Sequence, residues 1–238
     1  MGNSPMAFIL AGGFGTRLRS VLNDIPKPMA EAGGKPFLEH LLLWLKGQGV
    51  SEVVLLTHYL SEKIENYFSN GETLGMNIQY IREHEPLGTG GAVKAAISTL
   101  EFKNPFLLLN GDSFIDFEVG PFLANFSEKD GGIVLSKQRN TDRYGAVNLN
   151  SQGILQGFEE KRVGLGAGVI NAGVYYLQPE WFTHTPNGRL SLEMDVIPLW
   201  IHQGMKIQGH IVDGVFLDIG LPESYRQFIE YMSNRRGL

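Results

Sequence analysis

The sequence predicts an α/β protein, a single domain over residues 6–235 built on a mainly parallel mixed sheet flanked by helices, with a smaller β-rich part. Two observations predict it. Buried-looking apolar runs alternate with helical stripes up to Leu109, the order that builds parallel strands with crossover helices. Beyond Asp112 the pattern changes to short strands broken by glycines and polar turns, with no linker or internal repeat between the two regions.

Ala7 to Leu10 is an apolar run ending in glycines, a buried first strand. Pro36 to Gln48 carries Phe37, Leu38, Leu41, Leu42 and Leu45 at helical spacing and is closed by Gly49. Glu52 to Thr57 is a second buried strand, and Ser61 to Phe68 follows as a helix with Ile64, Tyr67 and Phe68 on its apolar side. Asn77 to Arg82 alternates like a strand, Thr89 to Leu100 reads as a helix, and Pro105 to Leu109 is again a buried strand. In the second region, strands are predicted at Gly132 to Ser136, Tyr144 to Leu149, Ile154 to Glu159, Val169 to Leu177 and Lys206 to Val212. A helix over Ser191 to Gln203 intervenes, and one over Pro222 to Met232 closes the fold.

Composition narrows the function. A chain of 238 residues with 43% hydrophobic and 19% charged residues can bury a sizeable core without staples. Cysteine is absent, which excludes disulfides and thiolate-bound zinc and suits a reducing, cytoplasmic compartment. The net charge of -5 argues against a nucleic-acid partner. No apolar run is long enough to span a membrane. Residues 1–5 are expected to be a disordered leader, neither signal peptide nor, with Met6 where Ser or Thr would be needed, a myristoylation site.

The first chemistry-bearing segment, Leu10 to Leu18, directly follows the first strand, and ligands of open parallel sheets sit beyond such strand ends. Leu10, Ala11, Gly12, Gly13, Gly15 and Thr16 offer backbone that can approach a phosphate closely, and Arg17 adds a planar, permanently charged fork. No Gly-Lys-Ser/Thr follows, so this is not a Walker loop. Leu18 in place of a third glycine spoils a dinucleotide fingerprint and argues against an oxidoreductase. Next, Ile25 to Met29 places Lys27 between two prolines, which are expected to clamp it in an extended backbone.

Leu10 to Met29, with Lys35-Pro36 after it, resembles the signature of the sugar-1-phosphate nucleotidyltransferases: a Gly-Gly-x-Gly-Thr-Arg-Leu loop, Pro-Lys-Pro, then Lys-Pro before a helix. Many members carry a proline where Ser20 stands, a difference at the exit of the loop. The resemblance implies a Rossmann-like, GT-A-type fold, with residues 6–112 handling the nucleotide and 113–235 the sugar phosphate. It also implies transfer of a nucleotidyl group to a sugar 1-phosphate. Within the family, IPKPM and EPLGTGG look most like guanylyltransferases acting on a heptose 1-phosphate, with mannose-1-phosphate guanylyltransferases and short uridylyl- or thymidylyltransferases as alternatives.

Glu83 to Ala92 aligns with the family's base-reading stretch, so Gly88, Thr89 and Gly90 are expected against the nucleotide, the glycines as a flat surface for the base. An ionised carboxylate accepts two hydrogen bonds at once. Guanine offers two adjacent donors where uracil and thymine offer one, so an acid here favours GTP; Glu83 is the first choice and Glu85 the second. Asp112, after the strand ending at Leu109, and Asp218, near the end of the chain, are implied by the resemblance to bracket Mg2+, a hard cation that takes carboxylate and phosphate oxygens.

On the acceptor side the resemblance points to Gly145, Glu160, Lys161 and Asn171, with Lys161 on the phosphate and Glu160 and Asn171 on ring hydroxyls. Glu193 and Asp195 receive no role, and the histidines show no metal-ligand spacing. Arg17, Lys27 and Asp112 are the expected catalytic residues. They serve charge neutralisation rather than nucleophilic attack, because phosphoryl transfer needs positioning and electrostatics above all. A non-catalytic nucleotide-sugar sensor is the alternative from a different class; a homo-oligomer is left open.

Overall fold

The structure, a computed structural model, describes residues 5–13, 25–126, 130–144, 146–159, 164 and 166–235. Strand β1 (Met6–Leu10) is followed by a hairpin of two-residue strands, β2 (Glu31–Ala32) and β3 (Lys35–Pro36), which turns on Gly33 and Gly34, both at positive φ. Pro36, which cannot donate a ladder bond, leads directly into helix α1 (Phe37–Gly47). Then come β4 (Glu52–Thr57), α2 (Ser61–Phe68), β5 (Asn77–Arg82), α3 (Gly88–Thr99) and β6 (Phe106–Asn110).

The remaining elements are mostly β. They are β7 (Ser113–Ile115), α4 (Val119–Leu123), β8 (Gly131–Gln138), β9 (Val147–Leu149), β10 (Leu155–Phe158) and β11 (Gly168–Leu177). After them come α5 (Ile197–His202), β12 (Ile207–Val212), β13 (Phe216–Asp218) and α6 (Pro222–Arg235). The principal sheet has seven strands in the order β12-β8-β11-β6-β1-β4-β5. It is mixed: β1 with β4, β4 with β5 and β8 with β12 are parallel, and β11 runs antiparallel to both β6 and β8. The mainly parallel mixed sheet read from the sequence is the sheet found.

Contacts group the chain into two compact units. One comprises residues 1–85, 110–115 and 215–238, the other 86–109 and 116–214. In the first, Val53 to Leu56 are buried without alternation, as strands covered on both faces require. Phe37, Leu38, Leu41, Leu42 and Leu45 of α1 are likewise buried. Phe228 of α6 packs on Phe37 with ring centroids 4.6 Å apart, and Trp44 meets Phe114 edge-on at 5.8 Å. In the second unit the core includes an aromatic cluster, with Trp200 edge-on to both Trp181 and Phe182.

Two local expectations need correction. The helix predicted over 191–203 opens as a wide π-type turn, Leu192–Val196, and becomes α-helical only at Ile197, because Pro198 has no N–H to continue a regular ladder inward. Lys27 is not extended: Pro26 holds the extended conformation (ψ 142°), and Lys27 begins a 3-10 turn, Lys27–Met29. The turn is closed by Met29 N–H to Pro26 O at 2.8 Å and Ala30 N–H to Lys27 O at 3.1 Å. Those two backbone bonds outweigh the usual preference of a pre-proline residue for extended geometry.

Candidate active site

The end of β1 organises the first unit's polar cluster. Ala11 is buried and donates its N–H to Leu56 O at 2.8 Å, fixing the backbone where the glycine loop departs. Gly111 donates to Leu10 O at 2.9 Å and lies so close that a Cβ there would stand 2.5 Å from that oxygen. Only glycine fits, and the contact seats the next residue, Asp112, beside the loop's origin. Asp218 arrives on a short ribbon: β13 pairs antiparallel with β7, placing Asp218 opposite Ser113, and Ile219 N–H donates to Asp112 O at 3.0 Å.

Lys27 completes this group. Its ammonium is 2.5 Å from Asp112 Oδ2 and 3.8 Å from Asp218 Oδ1, and its side chain is only 13% exposed. A lysine so enclosed must be paired, and it is paired to the two acids the sequence singled out. Asp218 Oδ1 is also held by Gly220 N–H at 2.7 Å. Among the described residues no cluster of three or more His, Asp or Glu could close a metal cage. Two carboxylates already gathered round one cation nevertheless suit a hard divalent ion that fills its remaining positions with waters and phosphate oxygens.

Glu83 lies over the start of the glycine loop. A Cβ on Gly12 would come within 3.1 Å of Glu83 Oε1 and of His58 Cβ, so the absence of a side chain at 12 leaves room for the acid. The Glu83 backbone is fixed by its N–H to Thr57 O at 2.8 Å, and its carbonyl lies 2.9 Å from His58 Nδ1. Glu85 is exposed. Gly13 is exposed as well, with open space where a Cβ would project. Gly15, Thr16 and Arg17 lie outside the described residues.

In the second unit the glycines at the start of α3 permit close packing. A Cβ on Gly88 would stand 2.5 Å from Leu190 O, one on Gly90 2.6 Å from Val196 Cγ2, and one on Gly91 2.4 Å from Gly188 O. The side of each glycine on which a Cβ would stand is therefore packed on the Gly188–Val196 segment. Thr89 serves the same contact: its hydroxyl accepts from Leu192 N–H at 2.7 Å and donates to Glu193 Oε2 at 3.3 Å.

Glu193, without a role in the sequence reading, turns inward. Its Oε1 accepts from the buried Tyr175 hydroxyl at 2.8 Å, and Asn171 Nδ2 donates to that hydroxyl at 2.5 Å. Burial, then the Glu193 charge, hold the Tyr175 phenol well above its ordinary pKa, so it stays a donor. Asn171 Oδ1 accepts from Gly173 N–H at 2.8 Å. Asp195 reaches back to Ser191 N–H at 2.7 Å and thus caps the turn. Gly145, Glu160 and Lys161 lie outside the described residues. Sequence reasoning also passed over Asn110, whose Oδ1 is buried with no hydrogen-bond partner among the described residues.

The first unit thus brings together glycines at a strand end, a lysine on two aspartates and an acid beside Gly12. The chain belongs to the nucleotidyl transferase family, which it matches over residues 6–235. It is 42% identical over 225 residues to the D-glycero-alpha-D-manno-heptose 1-phosphate guanylyltransferase of Campylobacter jejuni, covering 94% of this chain and 98% of that one. It is 38% identical over 224 residues to the protein of the same name from Aneurinibacillus thermoaerophilus, covering 93% and 95%. Among solved structures, HddC from Yersinia pseudotuberculosis superposes with a TM-score of 0.85 at 33% identity, over 96% of this chain and 99% of that one, and has also been crystallised with GMP-PN. No helix among the described residues is long and apolar enough to cross a membrane.

Proposed function

We propose that this chain transfers the guanylyl group of GTP to a sugar 1-phosphate, D-glycero-α-D-manno-heptose 1-phosphate, with Mg2+ as cofactor. An oxygen of the acceptor phosphate attacks the α-phosphorus, the bond to the β-phosphate's bridging oxygen breaks, and pyrophosphate leaves with that electron pair. The acceptor phosphate is already ionised at neutral pH, so no general base is required. The observation that carries the reading is the gathering of Lys27, Asp112 and Asp218 at the end of β1. Residues 6–112, joined by Asp218, are assigned to the nucleotide and the rest of 113–235 to the sugar phosphate.

Glu83, over Gly12, accepts the two adjacent donors of guanine. Lys27 and Arg17 offset triphosphate charge, and Lys161 offsets that of the acceptor. Asp112 and Asp218 would hold a divalent cation, which would supply further neutralisation of the phosphates. The names of the relatives at 42% and 38% identity support both guanosine and heptose. The cysteine-free chain suits the reducing cytoplasm, where nucleoside triphosphates are made.

The test is pyrophosphate release with Mg2+, the common nucleoside triphosphates and a panel of sugar 1-phosphates. GTP with the heptose phosphate should turn over best, and Arg17→Ala, Lys27→Ala and Asp112→Ala should each slow it by on the order of 10²-fold. Preference for UTP or dTTP would sink the role of Glu83; preference for mannose 1-phosphate would reassign the acceptor.

A further inference from the structure

Lys27 makes a contact that charge neutralisation of a triphosphate does not require. Asp112 and Asp218 are brought side by side by the β7–β13 ribbon, through Ile219 N–H to Asp112 O at 3.0 Å and the pairing of Asp218 with Ser113. Two carboxylates fixed so closely repel, and the repulsion must be offset whether or not substrate is bound. The Lys27 ammonium does this, 2.5 Å from one carboxylate oxygen and 3.8 Å from the other. Its backbone is pinned in the Lys27–Met29 turn with Pro28 buried, so the charge leaves these acids only by rotation of the four-carbon stem.

We propose that Lys27 is the resident counter-ion of this carboxylate pair, that it competes with the divalent cation for it, and that the competition makes cation and nucleotide binding cooperative. This rests on the reading of Asp112 and Asp218 as the cation's ligands. A divalent cation on Asp112 and Asp218 would stand beside an ammonium that already touches Asp112 and faces Asp218, and two like charges so placed repel. The ammonium must therefore swing away before the cation is held. Asp218 stays in place when it does, because Gly220 N–H holds Oδ1 at 2.7 Å independently of the lysine.

The displaced ammonium then needs a new anion, and the triphosphate provides one. Cation alone binds weakly, at the cost of stranding the lysine. Cation with triphosphate binds tightly, since each supplies what the other's arrival removes. By linkage, the factor by which nucleotide tightens cation binding equals the factor by which cation tightens nucleotide binding.

The experiment is titration of the full chain with Mn2+ alone, followed by electron paramagnetic resonance of the free ion. Four proteins are compared: the parent, Lys27→Gln, Lys27→Met and Lys27→Arg. Loss of a charge-assisted contact that opposes binding should tighten Mn2+ by about tenfold or more in the Gln and Met variants, while the Arg variant stays close to the parent. Gln keeps a donor for Asp112 without the charge, so it reports the charge effect even should Met disturb folding.

With a non-hydrolysable GTP analogue present, Mn2+ should tighten strongly in the parent and by about tenfold less in the Gln variant. Equal Mn2+ affinity of parent and Gln variant, with Asp112→Asn still abolishing binding, overturns the counter-ion role and leaves the transferase reading intact. Mn2+ binding that survives Asp112→Asn overturns the assignment of Asp112 as the cation's ligand, and the counter-ion role with it.

Discussion

Gly111→Ala perturbs the site without touching any charged group. The new methyl carbon would stand 2.5 Å from Leu10 O, 3.2 Å from Leu10 C and 3.4 Å from Ala11 Cα. Carbon needs about 3.5–4.0 Å from other carbons and slightly less from oxygen, so one of the two backbones must retreat by roughly 1 Å. The β1 side is the stiffer: Ile9 and Ala11 are fully buried, and Ala11 N–H is bonded to Leu56 O at 2.8 Å. Movement therefore falls on the Gly111–Asp112 turn. It stretches the 2.9 Å bond from Gly111 N–H to Leu10 O and carries Asp112 away from its place beside Lys27 and Ile219.

Overpacking of this size costs about 1–3 kcal/mol of stability. A misplacement of about 1 Å at a reacting centre costs on the order of 10²-fold in turnover. The signature is thus a modest fall in urea midpoint with a much larger fall in kcat for pyrophosphate release. Gly120→Ala is the control, since a Cβ there meets nothing within 4 Å; it should keep parental turnover and gain up to about 1 kcal/mol of stability within α4. A folded Gly111→Ala protein with kcat within about threefold of the parent would refute the claim that this contact positions Asp112.

Tyr175→Phe deletes the hydroxyl that joins Asn171 to Glu193 and should lower unfolding free energy by about 1–3 kcal/mol, as for a buried acceptor left without its donor. An unchanged urea midpoint would show that the network carries no stability. Glu39, nearly buried on α1, is raised by burial but lowered more by hydrogen bonds from Lys35 and Tyr67, so its folded pKa lies below 4.5. A depressed carboxylate pKa stabilises the fold above the unfolded value, and that contribution is lost as pH falls through the folded one. Glu39→Gln should therefore cost about 1–2 kcal/mol at pH 7 and progressively less below pH 4.5. A deficit that does not shrink in acid would mean that packing, not charge, sets the cost.

Much of the fold was legible because local pattern and tertiary burial agree. Ala7 to Leu10 and Glu52 to Thr57 appear as β1 and β4 to within a residue, since strands covered on both faces are apolar throughout, and Asn77 to Arg82 appears as the edge strand β5 because its alternation is itself a strand period. The hairpin of β2 and β3 and the strand β7 escaped notice because two or three residues are too few to show a period. The wide turn at Leu192–Val196 misled in a more consequential way. A regular helix would have set Glu193 and Asp195 by its own periodicity. The wider turn and its Ser191 cap instead send Glu193 to Tyr175 and Asp195 back to Ser191 N–H.

The candidate site was legible where a residue's role follows from its chemical type and opaque where it follows from direction. A lysine between prolines announces charge, the family resemblance picked out the two aspartates, and the structure gathers Lys27, Asp112 and Asp218. Glycine announces only a missing side chain. At Gly12 the vacated space admits the Glu83 carboxylate, and at Gly111 it admits the end of β1. At Gly88, Gly90 and Gly91 it admits the Gly188–Val196 segment. A nucleotide and a neighbouring backbone impose the same steric demand on a Cβ, so glycine spacing alone cannot tell a ligand's approach from the chain's own. The two are separated by what fills the space. An ionisable side chain, Glu83, fills the space beside Gly12, whereas backbone carbonyls, those of Gly188 and Leu190, fill it beside Gly91 and Gly88.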